Sequence, residues 1–163
     1  LLLKPVSKPL ALLASFFRLA QATSLGVNLL NMFFVLQLIS GAKYLSVFEP
    51  DQLQAFIMMF LDSHSTGYTL ALVFFGCSLI ILGILMYKSG YFPKTLGIMI
   101  IVAALAYLLD ASAKILLSNY IDYQEILTIV VLVPAFIGEL SLCLWLLFKG
   151  VEDDRLKQLQ HKQ

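Results

Sequence analysis

GYTLALVFFGCSLIILGILMY, residues Gly67 to Tyr87, decides the fold. No charged side chain interrupts it, and it matches the roughly 20 apolar residues needed to cross the hydrocarbon core of a bilayer. Three further stretches qualify as spans: about 10–39, about 94–117 and about 126–148. Transmembrane strands alternate in polarity and need only about ten residues. A helix, by contrast, satisfies its own backbone in lipid. The expected fold is therefore all-α: a polytopic transmembrane helical bundle with four transmembrane helices, forming one domain over residues 1–150. A polar cytoplasmic tail is expected over 151–163. The composition agrees. The chain has 163 residues, 60% hydrophobic and 13% charged, with a mean hydropathy of +0.90. A soluble domain is about a quarter charged. That excludes a soluble globular enzyme, a disordered tail and a secreted disulfide scaffold.

Lysine and arginine set the expected orientation. Residues 1–9, 88–94 and 149–163 hold Lys4, Lys8, Lys88, Lys94, Lys149, Arg155, Lys157 and Lys162, whereas the opposite loops hold only Lys43. By the positive-inside rule both ends are cytoplasmic, so a multi-pass protein of the cell membrane is expected. The net charge of +1 leaves no basic block for nucleic acid. Cys77 and Cys143 stand in apolar runs without metal-ligand spacing, and no metal or other cofactor is expected. The chain opens on Leu1 rather than Met, without a signal-peptide pattern, so the natural protein is expected to extend upstream.

Between the first two spans, Leu53, Phe56, Ile57 and Phe60 recur at helical spacing. They predict an outer interfacial helix over Pro50 to Asp62, either a cap on the bundle or a lid. It can run on into the second span, with Ser63 to Gly67 as a hinge.

Charges within the spans cost several kcal/mol unless partnered. They are Arg18, Asp110, Lys114 and Glu139. Arg18 lies about 12 Å and Glu139 about 14 Å from the same end of their helices, at 1.5 Å per residue. The equal depth predicts an interhelical Arg18–Glu139 pair, with Gln21 and Ser141 adding hydrogen bonds. Pro134 removes a helical hydrogen bond beside Glu139, and Gly138 admits a close backbone approach. Asp110 and Lys114, four residues apart, share a helix face and predict a second pair. Asn28, Asn31, His64, Tyr68 and Tyr107 belong to this outer level. Either layer can be packing alone, or the polar lining of a cavity for a small ligand, an ion or a proton. Trp145 and Tyr91 read as interfacial anchors.

HSTGYTLALVFFGCSLIILGILMYKSGYFPKTLG, YLLDASAK, PAFIGELSLCLWLLFKGV and LLKPVSKPLALLASFFRLAQA together resemble an uncharacterised bacterial and archaeal membrane family, domain of unknown function 4386. KSGYFPK and PAFIGELxLxLW carry the specificity. The resemblance implies a six-helix bundle, with two helices preceding Leu1. Arg18, Tyr91, Pro93, Asp110, Pro134 and Glu139 fall in the matching blocks. Where the family often carries His, this chain has Ser78. The resemblance implies no activity.

No nucleophile–base pair, HExxH or phosphate-cradling glycine loop occurs, so the chain is not expected to be an enzyme. The first functional reading is a bundle that binds or passes a small ligand or ion through intramembrane polar residues. The alternative is a structural or partner-binding membrane protein whose ion pairs specify packing. An intramembrane enzyme ranks last. The expected partners are the lipid bilayer, a small ligand or ion, and a second copy or another membrane protein.

Overall fold

The computed structural model describes residues 2–150; the tail expected over 151–163 lies outside them. Four long helices follow one another: α1 (Lys8–Leu38), α2 (Pro50–Ser89), α3 (Lys94–Leu116) and α4 (Gln124–Phe148). Short 3-10 turns at Lys43–Val47 and Tyr120–Tyr123 precede α2 and α4. No strand occurs among the described residues. All four helices are long and apolar enough to cross a membrane, and the protein is a multi-pass membrane protein in contact with lipid.

Local chemistry explains where the helices stop and start. Glu49 and Gln52 form a capping box at the start of α2, with the Glu49 N–H donating to Gln52 Oε1 at 3.0 Å. The first residue, Pro50, brings the backbone torsion a helix needs and has no N–H to waste. Gly90 ends α2 at φ +74, a left-handed conformation that glycine adopts without a Cβ penalty. Pro93 then delivers the chain into α3.

α2 is 40 residues long, roughly 60 Å at 1.5 Å per residue. That is twice the thickness of a hydrocarbon core, roughly 30 Å. The helical segment from Pro50 to Asp62 is present, but Ser63 to Gly67 is not a hinge. Those residues are helical too, since nothing in them breaks the hydrogen-bond ladder. Thr66 and Thr69 return their hydroxyls to the Asp62 and Ser65 carbonyls, both at 3.0 Å.

Each helix packs chiefly on the next in sequence. α1 and α2 form an antiparallel hairpin in which Ala14 meets Ser78, Asn28 meets His64 and Phe34 meets Phe60. α2 and α3 supply the core, with Leu79, Leu85, Met86, Leu96 and Ile100 buried. They cross almost backbone to backbone. A Cβ on Gly97 would lie 2.9 Å from the Gly83 carbonyl and 2.9 Å from the Tyr87 nitrogen. The flanking helices point large apolar side chains outward: Phe16, Leu19, Val27 and Phe33 from α1, and Ile126, Leu132, Phe136 and Leu147 from α4. In water such a surface would drive aggregation; in lipid it is the expected outer face.

The ends that carry Lys8, Lys88, Lys94 and Lys149 gather at one side, here the lysine-rich end. The turn between α2 and α3 is fastened there. The Ser89 hydroxyl donates to the Met86 carbonyl at 2.7 Å and accepts the Phe92 N–H at 3.2 Å. The Tyr91 hydroxyl donates to the Leu2 carbonyl at 2.6 Å, tying the chain before α1 to the turn. Burial raises the Tyr91 pKa above its ordinary value.

Gly97→Ala should destabilise by about 1–3 kcal/mol, because backbone atoms cannot yield to the new methyl. Gly26→Ala, where a Cβ meets nothing within 4 Å, should stabilise by about 0.5–1 kcal/mol; unfolding in lipid nanodiscs compares the two. Tyr91→Phe should lose about 1 kcal/mol, the net worth of one hydrogen bond. The folded pKa of Tyr91 is raised, so its contribution is whole below pH about 10 and is lost as pH rises from there through the folded value. Stability measured against pH should show this step in the parent and not in Tyr91→Phe.

Candidate functional site

Two polar layers cross the bundle. In the layer away from the lysine-rich end, Asn28 is 6% exposed and clamps α1 to α2. Its Nδ2 donates to the His64 carbonyl at 2.9 Å. The His64 Nδ1 stands 3.3 Å from the Asn28 carbonyl and can donate to it when that nitrogen carries the proton. Asn31 Nδ2 donates to Asn28 Oδ1 at 2.9 Å. Gly67 makes room, since a Cβ there would lie 2.6 Å from Asn28 Cγ. The Asn28 Nδ2, Oδ1 and main-chain carbonyl are each engaged, so this layer holds helices together.

Asp110 and Lys114 share a face of α3 but do not pair with each other. Asp110 Oδ1 accepts from the Tyr120 hydroxyl at 2.8 Å, and Lys114 Nζ donates to Ser65 Oγ at 2.9 Å. Each finds a partner on a neighbouring element instead: the turn before α4 for one, α2 for the other. Neither joins Asn28, as the expected outer layer had them.

The second layer lies 9 to 14 residues from the lysine-rich ends of the helices. Arg18, Phe75, Tyr107 and Glu139 come from α1, α2, α3 and α4 in turn. Arg18 Cζ sits 4.4 Å above the centre of the Phe75 ring. Phe75 packs edge-on against Tyr107, centroids 5.1 Å apart. The Tyr107 hydroxyl donates to Glu139 Oε1 at 3.1 Å. Arg18 Nη1 donates to Gln21 Oε1 at 2.9 Å. The direct Arg18–Glu139 ion pair expected from equal depth is not formed. Helical side chains lean toward the N-terminus of their own helix. α1 begins at the lysine-rich end, so Arg18 leans toward it. α4 begins at the other end, so Glu139 leans away. α3 runs parallel to α1, and Tyr107 therefore leans back toward Glu139 and meets it. Tyr107 belongs to this layer and not to the outer one.

Arg18 faces a cavity of about 550 Å³ between α1, α2 and α4. Ser15, Ser78, Leu82, Met86, Leu142 and Leu146 are among its walls. The Ser78 hydroxyl donates across to the Ala14 carbonyl at 3.0 Å, and Ser15 donates to Ala11 at 2.9 Å. Leu2, Leu3 and Phe92 also line the cavity. Gly138 lets α4 approach closely, its would-be Cβ 3.2 Å from the Met99 carbonyl. Pro134 sits inside α4, one turn ahead of Glu139. A wider apolar groove, about 1630 Å³, runs along another face of the α1–α2 hairpin from Phe16 to Phe34. Among the described residues, no three His, Cys, Asp or Glu side chains converge as a metal site.

Phe75, Ser65 and Tyr120 are partners that the sequence reading did not single out. Their chemistry is common, and only the helix register reveals their roles. The clamp yields a test. Asn28→Ala should destabilise by about 1–3 kcal/mol by removing the side-chain hydrogen bonds to the His64 carbonyl and from the Asn31 amide, as read by thermal unfolding in nanodiscs.

The family described as Domain of unknown function (DUF4386) matches residues 1–150. An uncharacterised protein from Archaeoglobus fulgidus is 34% identical over 149 residues, which covers 91% of this chain and 70% of the relative. No solved structure matches the chain.

Proposed function

The chain belongs to the DUF4386 family, and for this member we propose a small membrane bundle that binds or passes a small ligand or ion through its mid-membrane polar layer. The proposed setting is the cell membrane with the lysine-rich end in the cytoplasm, a reading that the distribution of Lys and Arg supports. One observation carries the reading. Among the described residues, the Arg18 guanidinium, ten residues into α1, is exposed to a cavity and has Gln21 and the Phe75 ring as its partners rather than a carboxylate. A cation at that depth costs about 3 kcal/mol on insertion scales. A purely structural arginine would have its charge met inside the fold.

The reading is one of binding rather than catalysis. Ser15 and Ser78, the hydroxyls beside Arg18, both donate to main-chain carbonyls. A hydroxyl engaged in that way has no general base to make it a nucleophile. The alternative reading, polar groups that only specify packing, is favoured by the Asn28–His64 clamp and applies to that layer.

Stability discriminates between the readings without knowledge of the ligand. A charge retained for binding is a liability to the empty fold. Arg18→Gln should therefore raise stability in nanodiscs by about 1–3 kcal/mol with helix content unchanged. A loss of similar size would make Arg18 a packing residue and end the binding reading.

A further inference from the structure

We propose that the cavity between α1, α2 and α4 binds a single-chain amphiphile bearing one carboxylate, its head on Arg18 and its tail toward Leu2, Leu3 and Phe92. This rests on Arg18 being a ligand site and adds the class of ligand.

The head group follows from the guanidinium. Arginine offers five N–H donors in a planar fork. Here Gln21 takes one of them at 2.9 Å, and the Phe75 ring covers one face of the plane. The remaining edge is shaped for the two oxygens of a carboxylate. The charge of the ligand follows from the neighbours. One cation balances one anion, while Glu139 in the same layer already carries a carboxyl group met by Tyr107. A dianionic phosphate would leave a second negative charge uncompensated in an apolar setting, a costly state.

The tail follows from the walls. Leu82, Met86, Leu142 and Leu146 line the cavity. The nearby Ser15 and Ser78 hydroxyls spend their protons on main-chain carbonyls. The volume of about 550 Å³ suits one small ligand, for which roughly 300–1,000 Å³ is usual. Along α1 the cavity runs from Ala11 to Arg18, roughly 10 Å at the helical rise. That length fits a medium-length chain. The head would lie deeper in the membrane than the end of the tail. A lipid of the surrounding bilayer lies the other way, so the site selects against annular lipid.

Radiolabelled decanoate, in equilibrium dialysis against the full chain in nanodiscs, tests this. The parent should bind it saturably, one per chain, and decanol and decylamine should not displace it. Arg18→Gln should weaken binding tenfold or more, the worth of a charge-assisted hydrogen bond. Arg18→Lys, which keeps the charge without the fork, should fall between. Ala11→Phe, which leaves Arg18 intact and fills the cavity, should also lose binding. Circular dichroism of each variant reports whether it folds. No saturable binding by the folded parent, or equal binding by folded Arg18→Gln, overturns the proposal. Competition by acetate as strong as by decanoate, and dependent on Arg18, overturns the amphiphile but leaves Arg18 as a small-ligand site. If Arg18→Gln changes no anion's binding and does not stabilise the protein, that broader reading fails as well.

Discussion

Lipid offers no hydrogen bonds, so every donor and acceptor at membrane depth has to be met from inside the protein. The helices answer this for the backbone. The side chains answer it one at a time, with Ser15, Thr66, Thr69 and Thr128 each returning a hydroxyl to the carbonyl four residues earlier. Among the described residues, no buried side-chain nitrogen or oxygen lacks a partner. Arg18 stands out against that background because its donors open into a cavity instead of closing on a carboxylate. The difference between the two polar layers is thus one of completeness. The Asn28 layer is closed on itself and stiffens the α1–α2 hairpin. The Arg18 layer leaves a charge-bearing edge available.

Packing and chemistry are linked through helix direction. Close contact of α2 and α3 at Gly83 and Gly97 fixes the register between the central pair. Register brings Phe75 to Tyr107, and the packing of Gly138 against Met99 brings Glu139 to the same height. The lean of each side chain toward its own N-terminus then decides who meets whom. Tyr107 and Glu139 are aimed at each other, and Arg18 is aimed at the cavity. An account based on depth alone pairs the two charges; one that includes direction separates them.

Much of the architecture is legible in the residues. The uncharged run from Gly67 to Tyr87 announces a lipid-crossing helix, and the family is visible in KSGYFPK and PAFIGEL. Less visible is that α2 continues unbroken from Pro50. Ser63, Ser65, Thr66 and Gly67 look like a break, yet in an apolar setting Ser and Thr can bond back to the helix and Gly67 serves to admit Asn28. The candidate site is legible in its charges and not in their partners. Ion pairs between Asp110 and Lys114, and between Arg18 and Glu139, are the natural reading of spacing and depth. The structure instead gives three of these charges a neutral hydroxyl: Tyr120, Ser65 or Tyr107. Tyrosine and serine are too common for sequence alone to mark them as partners.

The depth of the Arg18 layer is the claim on which the functional reading turns. Leu19 is the adjacent residue, 63% exposed on the outer face of α1, and can carry a spin label as Leu19→Cys in a Cys77→Ser, Cys143→Ser background. Power-saturation paramagnetic resonance in bilayers measures its depth directly. The account predicts high access to oxygen and low access to a water-soluble nickel chelate, as in the middle of the hydrocarbon. Nickel access equal to that of a label in the headgroup region would contradict it.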